Sequence, residues 1–236
     1  MKKEFKDYHE AEKFISQFAN QKKALFAKKI IKSPHLHFHG LDAKTMNQIM
    51  KEYSLLHGPL DHSYELTSLI LHSNIDNLNN TQELISYLLN FITHVDNWAH
   101  IDTLITVPKI KKIPFETLYP MIKQTRDSHL EFVVRFYYVA FIMYRSRVEL
   151  YNAFLATIKN SEQHYVIMAI AWVISELFLF QEYQILDFLA SSPLSLKIKL
   201  TAIQKIKESK KTSALQKEKL ELLKKRIIEE SQNVTY

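Results

Sequence analysis

The residues best equipped for chemistry crowd into one stretch, Thr93 to Ile105, THVDNWAHIDTLI. It lies between two apolar helical segments, yet within a few positions it carries a Trp, two Asp and two His. At helical spacing Trp98 and Asp102 are four residues apart and share one face, one turn over the next. A carboxylate beside an indole suits a core poorly, because the charge needs a cationic partner or water. It suits a site that holds a cationic ligand against a π-face and a negative charge. A solvent-edge Trp beside a surface Asp accounts for the same pair with no ligand at all.

Three further features carry candidate chemistry. Arg135 stands alone in the apolar run of SHLEFVVRFYYVAFIMYRSR. A guanidinium on a buried face is costly unless a carboxylate or phosphate meets it. It therefore either pairs with a core acid or lines a groove, where it binds a phosphate or orients Asp102. Trp172, within HYVIMAIAWVISELFLF, reads as core when taken by itself. In HLHFHG, His35, His37 and His39 alternate and would share one side of an extended segment. With no Asp, Glu or Cys nearby at ligand spacing, this segment reads as the turn into the next helix rather than a metal site, with Gly40 at a tight position.

The elements that position these residues must be helical. The 236 residues include only two glycines and six prolines, too few for the tight turns of a sheet protein, and 47% are hydrophobic. Residues 4–32 read as a helical hairpin, with Lys22, Lys23, Lys28, Lys29 and Lys32 interleaved among apolar positions. That lysine face is either solvated or borders phosphates. Helices follow from Asp42 or Ala43 to Tyr53, over Ser63–Ser73 and over Thr81–Phe91, the last after the Asn-rich turn NIDNLNN. Helices of this length joined by short polar turns suggest a solenoid of antiparallel helix pairs, although no clean repeat period is visible. No shift in composition marks a boundary, so residues 1–236 read as a single domain.

Charge points to a polyanionic partner. The formal net charge is +6, which favours nucleic acid. Lys109, Lys111 and Lys112 form a basic loop punctuated by Pro108, Pro114 and Pro120, and Lys197, Lys199, Lys205, Lys207, Lys210 and Lys211 crowd the C-terminal third. The absence of cysteine excludes disulfides, thiol nucleophiles and thiolate metal sites. There is no Gly-rich phosphate loop, HExxH, serine elbow or Cys/His zinc pattern, so catalysis would run on Asp, Arg, His and aromatics. The charged Met1–Lys6 start has no apolar core behind it, which predicts a cytoplasmic protein. Phe132–Tyr144 and Tyr165–Phe180 are too short or too charged to span a bilayer.

Taken in order, DNWAHIDTL, EFVVRFYYVAFIMYR, YVIMAIAWVISELF and LSLKIKLTAIQKI resemble the AlkD-type DNA alkylation repair family, over about residues 35–210 and best from 93 to 207. The signatures NWA-x-x-D and MA-x-AW are similar to a less characterised branch. The resemblance implies a superhelical solenoid of HEAT-like repeats with a concave basic groove, and a monomeric glycosylase that acts on duplex DNA. By position, Trp98 and Trp172 match the two cleft tryptophans, Asp102 the catalytic carboxylate and Arg135 the Arg on the following repeat. Lys109, Lys111, Lys112, Lys197 and Lys199 are expected along the DNA path. The implied reaction is hydrolysis of the N-glycosidic bond of a cationic N3- or N7-alkylated purine. It needs no metal and no organic cofactor. A non-catalytic helical-repeat protein that binds DNA structures or a protein partner through the same face is the alternative.

Overall fold

The computed structural model describes residues 2–233; Met1 of the charged start, and Val234, Thr235 and Tyr236, lie outside them. The fold is mostly helical, as composition predicts, with fourteen α-helices among the described residues. None of these helices is long and apolar enough to cross a membrane. The chain divides into two compact units, Met1–Ile122 and Lys123–Tyr236.

In the first unit the expected hairpin comprises two helices, α1 (Tyr8–Ser16) and α2 (Gln21–Ile31), that bury their apolar residues in different clusters, Ala11 and Ile15 with Ile49 and Leu66, and Ile31 with Leu36 and Phe38. Asp7 caps α1 by accepting from the Glu10 N–H, and Asn20 caps α2 by accepting from the Lys23 N–H. Then come α3 (Ala43–Glu52), α4 (Tyr64–Asn77), α5 (Thr81–Phe91), α6 (Trp98–Leu104), α7 (Pro108–Lys111) and α8 (Phe115–Ile122). A two-residue parallel ladder, β1 (Lys3–Glu4) with β2 (Tyr53–Ser54), was not legible from the sequence. It brings Phe5 onto the Tyr53 ring, stacked at 4.9 Å. Phe5, Ala11, Ile15, Ile49, Leu55, Leu66, Leu69 and Ile70 form a core that joins the N-terminal elements to α3 and α4.

The HLHFHG segment is extended rather than a simple turn. His37 bridges Ser63 in parallel, donating its N–H to His62 O at 2.8 Å and accepting from the Tyr64 N–H at 3.0 Å. Alternation then buries Leu36 and Phe38 and leaves His35 and His37 exposed, while His39 is buried. Glu65 in the first turn of α4 is only 3% exposed. Its carboxylate accepts the backbone N–H groups of His39 (3.1 Å), Gly40 (2.8 Å) and Leu41 (3.3 Å). A negative charge is also favourable at a helix N-terminus. Gly40 (φ +77°) passes so close to α2 that a Cβ would lie 2.4 Å from both Asn20 O and Ala24 N.

The second unit holds α9 (Glu131–Ala140), joined through two 3-10 turns to α10 (Tyr151–Leu155), then α11 (His164–Phe178), α12 (Glu182–Ser191), α13 (Leu196–Glu208) and α14 (Ala214–Asn233). The apolar α11 lies at the centre of this unit and packs against α9, α12 and α13, and α14 in turn covers α12 and α13.

Removing the Glu65 carboxylate strands its three backbone donors. Glu65→Ala is expected to cost about 3 kcal/mol of stability in urea unfolding, with Glu65→Gln between it and the wild type. A loss well below 1 kcal/mol for the Ala variant would show that the 39–41 segment is held by other contacts.

Candidate functional site

Trp98 and Asp102 occur on one face of α6, as their spacing predicts, and both are half-buried. Asn97 caps this helix, its Oδ1 accepting from the His100 N–H at 3.0 Å. Trp98 is not a free-standing plate. It packs against the buried cluster of Ile31, Leu36, Phe38 and Ala99, which Ala24, Ala27 and Tyr64 also flank, so α2 and the extended segment support the indole from behind. Asp102 lies close enough to Tyr64 to bear on its phenol. Burial first, then the charges of Glu65 and Asp102, push Tyr64 up to about 12, so its hydroxyl stays protonated at neutral pH.

Behind this face is a residue to which sequence reasoning gave no role, His100. It is fully buried and stacks on Tyr64, centroids 4.5 Å apart and nearly parallel, while Tyr64 stacks on Phe38 at 5.5 Å. Its Nδ1 accepts from Asn97 Nδ2 (2.9 Å) and its Nε2–H donates to Tyr64 O (3.1 Å). One neutral tautomer thus satisfies both ring nitrogens. Burial lowers its pKa to about 4, against the opposing pull of the Tyr64 carbonyl and of Asp96. The local signal was an Asn cap with a His three residues on, inside an apolar helix. Asp96, the second carboxylate of the stretch, accepts from the Ser33 hydroxyl (2.9 and 3.0 Å) and ties α6 to the chain just after α2.

In the second unit Arg135 is 5% exposed and donates from Nη1 to Tyr165 O at 2.7 Å. Glu131, one turn earlier on α9, accepts the Tyr165 N–H at 2.6 Å. These two side chains grip both polar groups of one peptide residue at the start of α11. Trp172 is half-buried rather than core. It belongs to a stripe of partly exposed residues on α11, namely Tyr165, Met168, Trp172 and Glu176, at helical spacing. Glu176 pairs with Arg145 at 3.3 Å.

The expected DNA-contacting lysines have different surroundings. Lys109 donates to Ile75 O (2.7 Å) and Asp76 O (3.2 Å) at the end of α4, where a cation also complements the helix dipole. Lys199 is buried, donates to Ala190 O at 3.3 Å, and has its pKa lowered by that burial. Lys111, Lys112 and Lys197 are exposed, the last within 3.8 Å of Glu162. Among the described residues no group of three or more His, Cys, Asp or Glu side chains is arranged to hold a metal ion.

Comparison with protein-family models gives no match, and comparison with curated proteins gives none either.

The buried neutral His100 makes stability pH-dependent with a definite sign. Above about pH 6.5 the imidazole is neutral in both folded and unfolded chains and contributes nothing. As pH falls from 6.5 toward 4, the unfolded chain takes up the proton and the folded one does not, so stability is lost, on the order of 3 kcal/mol across the window. His72, whose pKa burial also lowers, adds in the same direction. Urea midpoints measured from pH 7 to 4 should therefore fall, and fall less in His100→Gln once corrected for its lower starting stability. A midpoint that holds steady over this range would contradict the neutral imidazole.

Proposed function

We propose that this chain is a DNA glycosylase for cationic N3- or N7-alkylated purines, a HEAT-like solenoid of the AlkD type. The observation that carries this reading is the pairing of a half-buried indole with a half-buried carboxylate on one face of α6. The ordered resemblance of the four motifs supports it. The same reading takes the protein to be a cytoplasmic monomer that uses no cofactor.

The chemistry requires little beyond placed charge. An alkylated N3 or N7 makes the base a cation and a good leaving group. As the glycosidic bond stretches, positive charge builds on the deoxyribose. The Asp102 carboxylate would stabilise that charge and orient the attacking water. The Trp98 and Trp172 faces would attract the cationic base and sugar, at about 0.5–2 kcal/mol each. Arg135 would hold a backbone phosphate near the lesion. The neutral His100 fits this role, because an imidazolium beneath α6 would oppose a cationic substrate. The products are an abasic site and a free alkylpurine.

A second reading has its own support. Lys109 and Lys199 spend their ammonium groups on backbone carbonyls, and Arg135 donates to one. A chain with these cations engaged internally fits a non-catalytic repeat protein that binds DNA structures or a protein partner.

Single-turnover release of 7-methylguanine and 3-methyladenine from methylated duplex separates the two. Wild type should release base, and Asp102→Asn should be slower by a factor of about 10² or more while still binding DNA. Equal release by the mutant would remove Asp102 from the mechanism. No release from either, with tight and salt-sensitive binding, would favour the second reading.

A further inference from the structure

The outer face of α2 is unusual for a helix on the surface of a folded unit. Its inner face, Ala24, Ala27 and Ile31, packs into the cluster that supports Trp98. Outward, Phe26 is 67% exposed, Leu25 62% and Ile30 45%, large apolar side chains standing in water. Exposed lysines run between them. Lys22 and Lys29 are seven residues apart, on one line about 10 Å long, with Leu25 on one side of that line and Phe26 and Ile30 on the other. Lys28 borders Leu25. The helix itself contains no acidic residue. Among the described residues, no carboxylate is within ion-pair distance of Lys22, Lys28 or Lys29, whereas Lys23 is held by Asp42 at 2.9 Å.

We propose that this face is a second DNA contact, in which Lys22 and Lys29 meet phosphates of one groove and Phe26 enters the minor groove as an apolar wedge at a base step. The inference rests on the reading of the chain as a DNA-acting protein. Phosphates at the spacing of a duplex supply the charge that the lysines lack. A base step pried open supplies the apolar surface that Phe26 lacks, as aliphatic and aromatic wedges do in other minor-groove proteins. A bilayer fits less well, because helices that lie in a membrane interface segregate apolar and charged arcs, and here lysines separate Leu25 from Phe26. A second copy of the chain, presenting the same lysines about a two-fold axis, would meet like charge.

The test uses the full chain and a duplex carrying 2-aminopurine in place of one adenine. Binding is followed from 50 to 200 mM salt, and base release is read from methylated duplex in parallel. The double variant Lys22→Gln, Lys29→Gln should flatten the slope of log K against log salt by about 1.8, the value for two lost phosphate contacts. Phe26→Ala should keep the wild-type slope, bind about tenfold more weakly, and lose the rise in 2-aminopurine emission that reports unstacking. Both variants change exposed side chains only, and thermal melting by circular dichroism checks that they stay folded. A wild-type slope in the double lysine variant, or unchanged 2-aminopurine emission on adding wild type, overturns the α2 contact while normal base release leaves the glycosylase reading intact. Wild type that neither binds duplex nor releases base removes that reading and this contact together. Binding to phosphatidylglycerol vesicles, but not to duplex, would reassign the face to a lipid surface.

Discussion

Three backbone N–H groups converge on one buried carboxylate, and much of the first unit depends on that convergence. Glu65 holds residues 39–41 against the start of α4. The same segment receives the Asn20 N–H at His39 O, 2.8 Å, and lays Gly40 against the first turn of α2. Through Ala24, Ala27 and Ile31, α2 then supports Trp98. The carboxylate is thus coupled to the indole through a glycine contact and three small or aliphatic side chains. A charge buried this deeply is tolerated because directed donors replace the water it gave up.

The second unit solves a related problem with a different device. Arg135 and Glu131, one turn apart on α9, bind the carbonyl and the N–H of Tyr165. A single peptide residue is held from both sides, which fixes the rotation of α11 about its axis and so the direction of the stripe that ends in Trp172 and Glu176. This supplies a structural reason for a guanidinium in an apolar run, and it is compatible with a phosphate-binding role for the same side chain.

Some of this is legible in the sequence. Helix α5 occurs at Thr81–Phe91, where the apolar stripe and the preceding Asn place it, and the Asn80 side chain accepts from the Gln82 and Glu83 N–H groups. Pairing of Trp98 with Asp102 followed from spacing alone. Other features were hidden because their partners are distant in sequence. The Asn-rich stretch reads as a turn, yet α4 continues to Asn77, where Asn74 spends its amide on Leu56 O and Ile70 O instead of breaking the helix. Glu65 looks like any first-turn acid until the loop 25 residues earlier folds onto it. The β1–β2 ladder spans two residues on each side, too few for any alternation to show. Lys109 and Lys199 read as cations along a DNA path, and only tertiary packing shows their ammonium groups at carbonyl oxygens.

The two tryptophans have a consequence for observing the molecule. The chain contains only these two, Trp98 in the first unit and Trp172 in the second, each half-buried. Replacing one with phenylalanine leaves an intrinsic fluorophore that reports on one unit alone. The emission maximum and quenching of each would follow its own unit through denaturant, and the overlay of the two curves would tell whether the halves melt together or in sequence.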